Sequence, residues 1–281
     1  MPYVTLPVDQ IRVYYRTNLP NDDLSQIASS EKATLLILHP TYLSSDHLSS
    51  QFDDPLMKDY FNLIAFDAVC CGRTEAPNYL SLSQAAVHDG YVDAAIIALF
   101  HEYLSLPPVH VMASEHRPVQ GATRFVLLFP EKVLSLATCS PPRNILNKSD
   151  WIVQAWHSLQ DAWNECDDLN GLDAVFSELL YFGFASTLDQ DQTDDIVNYW
   201  YHFYPPARIT RTIAPYLITN NRKHVTPMEF SWFTRPLLII QGTNEEQAVL
   251  PPLCHIPGGV QLVAIKDASY CPAIPAKRHG K

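Results

Sequence analysis

The chain opens with alternating apolar and polar positions, a pattern typical of half-buried β-strands. Within Tyr3–Thr17 the apolar positions lie on either side of a short turn that contains Pro7, and they are Val4, Leu6, Ile11, Val13 and Tyr15. We therefore predict two short strands here, joined by a tight connection.

Continuous apolar runs follow, and each is too short for a helix. Thr34–Leu38 ends at His39, and Asn62–Phe66 ends at Asp67. Runs of this length without alternation are typical of parallel strands that are buried on both faces. Later runs of the same kind complete the predicted strands: Val109–Ala113, Leu134–Cys139, Pro236–Gln241 and Gln261–Ile265.

Segments with apolar residues at helical spacing lie between several of these runs. Leu82–Leu106 and Val119–Phe129 both have this spacing, and Pro130 ends the second. Alternating strands and helices predict an α/β fold with a doubly wound, mostly parallel sheet of about eight strands.

One long segment interrupts the alternation. Pro141–Trp232 is helical in pattern and contains all five tryptophans of the chain: Trp151, Trp156, Trp163, Trp200 and Trp232. We interpret residues 141–232 as a helical cap inserted into a core formed by 1–140 and 233–281. Most of its aromatic residues should pack between cap and core. Trp151, Trp156 and Trp200 are predicted to line a pocket for a small apolar molecule at the carboxyl edge of the sheet.

Composition and charge narrow the possible partners. The 281 residues carry 19 Lys+Arg against 30 Asp+Glu, a net charge of -11, so a nucleic-acid surface is disfavoured. No leader pattern or long apolar window is evident, so we expect a soluble cytoplasmic chain that does not enter a membrane. The six scattered cysteines form no CxxC pair, which indicates neither a metal site nor a disulfide framework. No cofactor is predicted.

Four stretches, in this order and spacing, resemble the α/β-hydrolase fold over nearly the whole chain. They are LLILHP at Leu35–Pro40, NLIAFDAVCCGRTEAP at Asn62–Pro77, VHVMASEHRPVQGATRFVLLFPEKV at Val109–Val133, and PLLIIQGTNEE followed by VQLVAIKDASYCP. In that family the first begins the oxyanion loop, the second is an Asp-x-x-Gly-x-Gly-x-Ser loop, and the third carries the nucleophile. The last two carry the acid and the histidine.

The nucleophile turn departs from the family's Gly-x-Ser-x-Gly pattern, since it reads Ala113-Ser114-Glu115-His116-Arg117. Alignment from the strand side places Glu115 at the nucleophile position, whereas alignment backwards from the following helix places His116 there. Ser114 lies one position too early on the first alignment. Glu115 or His116 is therefore the predicted acid, base or nucleophile, and Ser114 is a weaker candidate.

The remaining catalytic positions differ as well. Gly242-Thr243-Asn244-Glu245 matches the family's acid spacing, so the resemblance implies that Glu245 is the orienting carboxylate, with Glu246 as a substitute. Tyr270 stands where the family has histidine. An ordinary tyrosine titrates near pH 10 and cannot shuttle protons as histidine does, so a Ser-His-acid triad is not intact.

The oxyanion loop is altered too. His39 corresponds to the family's loop histidine, and Pro40 replaces a glycine and has no N–H to donate. Thr41 and Tyr42 are the remaining candidate donors, and His39 and Tyr42 are predicted to face the substrate. Only Cys271–Lys281 follow Tyr270, so the family's final helix is not expected, and a second subunit could close the fold as a homo-oligomer.

Three classes of function remain open. The first is an enzyme without serine chemistry that transfers protons on an apolar, carbonyl-containing substrate, as a lyase, isomerase or dehydratase does, or a hydrolase with an unusual nucleophile. The second is a catalytically inactive ligand-binding member of the fold, and the third is an esterase-like hydrolase that uses Ser114. We favour an enzyme, because reactive Glu, His and Tyr side chains are clustered where a receptor could use inert residues.

Overall fold

A computed structural model describes residues 2–139, 151–184, 188–205, 209–221, 225–242 and 256–266. Eight strands form one sheet: β1 (Tyr3–Thr5), β2 (Arg12–Thr17), β3 (Ala33–Leu38), β4 (Phe61–Phe66), β5 (Val109–Ser114), β6 (Val133–Cys139), β7 (Leu237–Gly242) and β8 (Val260–Ile265). Their order is β1-β2-β4-β3-β5-β6-β7-β8. The hairpin β1–β2 is antiparallel, β2 pairs antiparallel with β4, and all other pairs are parallel. The predicted mostly parallel sheet of about eight strands is confirmed.

The register of the central strands determines which residues meet at the carboxyl edge. Leu38 of β3 aligns with Phe66 of β4 and with Ala113 of β5. The residues that follow these three strands therefore emerge side by side, although they are far apart in the sequence. His39, Asp67 and the turn after Ser114 share this edge.

Ten α-helices are described: α1 (Ser49–Asp53), α2 (Pro55–Tyr60), α3 (Ser83–Val87), α4 (Gly90–Tyr103), α5 (His116–Leu128), α6 (Trp151–Glu165), α7 (Leu169–Phe184), α8 (Gln190–Phe203), α9 (Ile209–Asn220) and α10 (Pro227–Phe230). Short 3-10 helices cover Pro20–Asp22, Leu24–Ser29, Ser45–Leu48, Pro77–Ser81 and Pro130–Lys132.

The helical spacing predicted over Leu82–Leu106 is confirmed, and the chain forms two helices there and not one continuous helix. α3 ends at Val87, and α4 begins at Gly90. Asp89 caps α4 by accepting hydrogen bonds from the backbone N–H groups of Tyr91 and Val92. An N-cap aspartate satisfies donors that an uninterrupted helix would have bonded internally, so it favours a new start at this point.

The main apolar core lies between the sheet and the helices α4 and α5. It includes Leu36, Ile64, Phe100, Val111 and Phe125, all of them almost completely buried. A smaller cluster, formed with Leu48, Phe52 and Leu63, covers part of the opposite face of the sheet. Helices thus lie on both faces of the sheet, and in this architecture ligands bind beyond the carboxyl ends of the strands.

The helices α6 to α9 lie in the segment predicted to be a cap, and a second apolar cluster holds them to the core. Trp163, Phe176 and Trp200 are buried in this cluster, and Tyr42 and Leu43 from the loop after β3 join it. Aromatic packing between the helical segment and the core is therefore confirmed for the described residues. The exact division of the chain into core and cap stays a prediction.

Candidate functional site

The turn between β5 and α5 resolves the alignment of the nucleophile position. Glu115 occupies the turn itself with φ 74° and ψ 169°, and His116 is the first residue of α5. A positive φ is costly for a side chain other than glycine, by roughly 1–3 kcal/mol, and it persists only where surrounding contacts impose it. The geometry matches alignment from the strand side, which places Glu115 at the sharp turn above the helix N-terminus.

Backbone hydrogen bonds hold this turn from both sides. The N–H of Glu115 donates to the carbonyl of Cys139 at 3.2 Å, which extends the pairing between β5 and β6. Its carbonyl accepts from the N–H of Val119 at 3.2 Å, which begins the α5 hydrogen-bond pattern. The strained residue is thus fixed between a central strand and a helix.

The Glu115 carboxylate is anchored by one residue of the loop after β3. Its Oε2 accepts hydrogen bonds from the Thr41 N–H at 3.1 Å and from the Thr41 Oγ1 hydroxyl at 2.6 Å. The structure gives Oε1 no hydrogen bond to any described residue. A half-buried carboxylate with one oxygen held, and the other without a hydrogen bond to the described residues, is suited to act as a base or as a nucleophile.

Ser114 and His116 lie on either side of Glu115. Ser114 is the last residue of β5 and is 3% exposed. His116 is half-buried at the start of α5. Glu245, Glu246 and Tyr270 lie outside the described residues, so their placement at this edge and their predicted roles stay predictions.

His39 is buried, and both of its ring nitrogens form hydrogen bonds. Nε2 accepts from the Ala68 N–H at 2.9 Å, so Nδ1 carries the proton and donates to the Pro40 carbonyl at 2.7 Å. Burial lowers the pKa of His39 below its usual range. The neutral ring connects the loops after β3 and β4, and contact with a substrate stays a prediction for this residue.

Asp67 organises the loop after β4 around its carboxylate. Its two oxygens accept hydrogen bonds from the N–H groups of Ser45 and Arg73, both at 2.7 Å. Gly72 has φ 50°, and a Cβ there would lie 2.0 Å from the carboxylate. Glycine is therefore required at Gly72 by backbone conformation and by the close approach of Asp67.

The predicted substrate-binding aromatic residues have structural contacts in the cap. The Tyr42 hydroxyl lies 2.8 Å from Gln160 Oε1 of α6, and Trp200 Nε1 donates to the Tyr42 carbonyl at 2.9 Å. Trp200 is 4% exposed, whereas Trp156 is only partly buried and stacks on Phe182. The side chain of Trp151 is not among the described ones. These contacts stabilise the junction of cap and core, and a role in binding substrate stays a prediction for all four residues.

Sequence reasoning missed a buried ion pair directly beneath the turn. Arg117 of α5 donates from Nε and Nη2 to the two carboxylate oxygens of Asp93 in α4, at 3.1 and 3.0 Å, and from Nη1 to the Val69 carbonyl at 3.0 Å. Burial opposes ionisation of Asp93, yet Arg117 and His88 hold its pKa well below its usual range. The available signal was an arginine two residues after Glu115, where the family has a small residue.

The buried cysteines are poor nucleophiles. Burial raises the pKa of Cys70 and of Cys139 to about 12, so both remain protonated thiols near neutral pH. Within the described ranges, no group of three or more His, Cys, Asp and Glu side chains is arranged to hold a metal ion. In that same part of the chain, the helices are too short or too polar to cross a bilayer.

Comparison with known proteins gives matches at the level of structure only. No protein-family model matches the sequence, and no curated protein matches it. A membrane phospholipase A described as a bacterial virulence factor has a TM-score of 0.72 at 16% identity, covering 98% of this chain and 80% of that one. An enol-lactonase from Burkholderia xenovorans LB400 has a TM-score of 0.64 at 13% identity, covering 96% and 92%.

An epoxide hydrolase from Bacillus megaterium also matches, with a TM-score of 0.64 at 16% identity over 96% of this chain and 94% of that one. These structural neighbours are hydrolases, and identities this low establish the architecture and not the reaction. The sheet order, the turn at Glu115 and these superpositions agree: the chain has the α/β-hydrolase fold.

Proposed function

We propose that this protein is a small-molecule enzyme in which the Glu115 carboxylate takes the place of a serine nucleophile. Its substrate would be apolar and would carry a carbonyl group, and the reaction would be a proton transfer of the lyase or isomerase type. The observation that carries the proposal is the Glu115 carboxylate at the strained turn, held through Oε2 by Thr41, while Oε1 has no hydrogen bond to the described part of the chain.

The same contact argues against esterase chemistry at Ser114. A serine hydrolase needs free N–H donors to stabilise the oxyanion of its tetrahedral intermediate. Of the two candidate donors, Thr41 and Tyr42, the Thr41 N–H is already hydrogen-bonded to Glu115 at 3.1 Å, and Pro40 has no N–H. Ser114 is also almost fully buried, so it is poorly placed to attack an ester.

In the proposed reaction, Glu115 Oε1 removes a proton from the carbon next to the substrate carbonyl. The electron pair of that C–H bond moves towards the carbonyl oxygen, and Tyr270, expected at the same edge, donates a hydrogen bond there. The proton then returns from Glu115 to another substrate atom or to a leaving group. A positioned general base of this kind contributes roughly 100- to 10,000-fold in rate.

A second reaction is supported by the position of Glu115 at the turn where the fold places its nucleophile. Oε1 attacks an epoxide carbon, so that a carbon–oxygen bond of the ring breaks and a glutamyl ester forms, and the alkoxide left on the neighbouring carbon takes a proton from water to become a hydroxyl group. Water would then cleave the ester. In H₂¹⁸O, single turnover by this route places ¹⁸O in the peptide that contains Glu115, whereas proton transfer leaves that peptide unlabelled.

The test of the proposed function compares Glu115→Gln with Glu131→Gln on a panel of apolar ketones, enol lactones, esters and epoxides. Glu131 is an exposed carboxylate in the 3-10 helix after α5, so it is a matched control for the loss of one charge. We expect Glu115→Gln to lose roughly 100- to 10,000-fold in kcat, because its amide cannot accept the proton. Glu131→Gln should equal the wild type.

Saturable binding of panel compounds without turnover by the wild type would instead support the ligand-binding class. Turnover that is equal in wild type and Glu115→Gln would contradict the role of the carboxylate. Isothermal titration calorimetry on the same panel separates these two results, since it reports binding whether or not a reaction follows.

A further inference from the structure

A chain of buried polar contacts lies beneath the turn that carries Glu115. The Tyr79 hydroxyl lies 2.8 Å from His88 Nδ1, and His88 Nε2 donates to Asp93 at 2.8 Å. Asp93 also accepts the two hydrogen bonds that Nε and Nη2 of Arg117 donate. These contacts join the segment before α4 to the second residue of α5.

Three elements converge on the Arg117 side chain. Its backbone belongs to α5, its fork binds Asp93 of α4, and its remaining nitrogen binds the Val69 carbonyl in the loop after β4. Gly121 permits this approach, because a Cβ there would lie 2.9 Å from the Asp93 side chain. A bidentate guanidinium contact fixes both distance and angle between the groups that it joins.

A cavity connects this pair to the residue that holds the carboxylate. One cavity of about 30 Å³, which is large enough to hold water, is lined by Thr41, His39, Asp93 and Arg117. Arg117 and Thr41, the partner of the Glu115 carboxylate, thus both lie on the wall of this cavity.

We propose that Arg117, held by Asp93, is a positioning residue for the Glu115 carboxylate. The pair fixes the start of α5 against α4 and the loop after β4, and so keeps the strained Glu115 backbone and its contact with Thr41 in place. The proposal rests on the proposed function only for its catalytic consequence, since the contact between Glu115 and Thr41 can be observed directly.

The test uses the amide proton shift of Thr41 in transverse-relaxation-optimised NMR spectra of the full chain. A hydrogen bond to a carboxylate moves an amide proton downfield, and Glu115→Ala gives the shift for a released Thr41. The informative variant is Asp93→Asn with Arg117→Met, in which the buried charges are removed together and the asparagine oxygen still accepts from His88. Replacing both members of a buried ion pair often leaves stability intact, whereas removing one member does not.

We expect the Thr41 shift in this double variant to move more than half of the way towards the Glu115→Ala value. The matched control is Glu102→Leu with Lys132→Met, which removes a partly exposed ion pair of 2.6 Å far from the turn and should leave the Thr41 shift unchanged. A Thr41 shift equal to that of the wild type in the folded double variant would overturn the proposal.

Arg117→Lys provides a second measurement if the double variant does not fold. Lysine keeps the positive charge but cannot make the two parallel hydrogen bonds to Asp93. The Thr41 shift should therefore move in the same direction by a smaller amount. An unchanged Thr41 shift would overturn the proposal. Turnover in the same variants should fall about 10- to 100-fold in kcat, with KM little changed. A moved Thr41 shift with full turnover would leave the positioning role intact and contradict the proposed function of Glu115.

Discussion

At the scale of single residues, strained backbone conformations mark the carboxyl edge of the sheet. Tyr42, Cys70 and Glu115 all have positive φ, and they follow β3, β4 and β5 in turn. Strain of this kind is maintained by the surrounding structure. Positive φ also occurs away from this edge, at Asp9, Gln10, Asn21, Asp22, Leu82 and Ser105, so it supports a functional site here only together with the contacts of Glu115. Gly72, in the second of these loops, shows how little space the packing leaves.

Substitution of Gly72 tests this packing. Gly72→Ala should lower the free energy of unfolding by about 2 kcal/mol or more, because its φ of 50° and the nearby Asp67 carboxylate both exclude a Cβ. Gly183→Ala is the matched control, since nothing lies within 4 Å of a Cβ there and the residue is in α7. It should be neutral or stabilising by about 0.5–1 kcal/mol in urea denaturation. Equal effects of the two changes would contradict the packing described for Asp67.

The imidazole of His47 gives a prediction for the pH dependence of stability. Burial lowers the pKa of His47 to about 4, from about 6.5 in an unfolded chain. Below pH 6.5 the unfolded state therefore binds a proton that the folded state does not. The free energy of unfolding should fall by about 1–2 kcal/mol from this group between pH 7 and pH 5.

His47→Gln should weaken that dependence. Glutamine can keep the backbone hydrogen bond to Ser44 that completes the capping box, and it does not titrate. Urea denaturation at pH 7 and pH 5 measures the difference. An identical pH dependence in wild type and His47→Gln would show that this imidazole is not the responsible group.

At the scale of helices and strands, α8 is connected to the loops that follow β3 and β4. The Tyr199 hydroxyl accepts from the Gly72 N–H and donates to the Leu43 carbonyl, both at 3.0 Å. Arg211 of α9 adds a hydrogen bond to the Gly72 carbonyl at 2.7 Å. The loops that approach Glu115 are thus held by the helical segment above them.

Removing the Tyr199 hydroxyl should weaken this connection. Tyr199→Phe leaves a backbone donor and a backbone acceptor without their partner, at a cost of about 1–3 kcal/mol in the free energy of unfolding. Tyr181→Phe is the control, because Tyr181 is 75% exposed on α7. Thermal denaturation of both variants checks the difference, and an unchanged melting temperature for Tyr199→Phe would contradict the connection.

Some elements follow from local sequence and others do not. The strands were predictable because short apolar runs such as Asn62–Phe66 have few alternatives. The break between α3 and α4 was not predictable, because it depends on Asp89 acting as an N-cap within a continuous helical pattern. The sequence also allowed two alignments of the turn with the family, which differ by one residue. The backbone angles of Glu115 place it at the turn and so favour the alignment from the strand side.

At the scale of the whole molecule, parallel strands bring together residues that sequence spacing cannot pair. Thr41 and Glu115 are 74 positions apart, and their hydrogen bonds were not predictable from either motif. The ion pair between Asp93 and Arg117 has the same origin, because two helices meet only after the sheet has formed. The resemblance indicated the place of the candidate site, whereas the contacts of Glu115 there follow only from the fold.

The central claim is that a carboxylate replaces serine at this site, and labelling with a fluorophosphonate tests it most directly. Intact-mass measurement after incubation with the probe should show no added mass on the wild-type chain, while a serine esterase in the same tube is fully labelled. We expect no labelling because Ser114 is buried and because the Thr41 N–H is already hydrogen-bonded to Glu115. Stoichiometric labelling of the wild type that disappears in Ser114→Ala would contradict the account and identify an ordinary serine hydrolase.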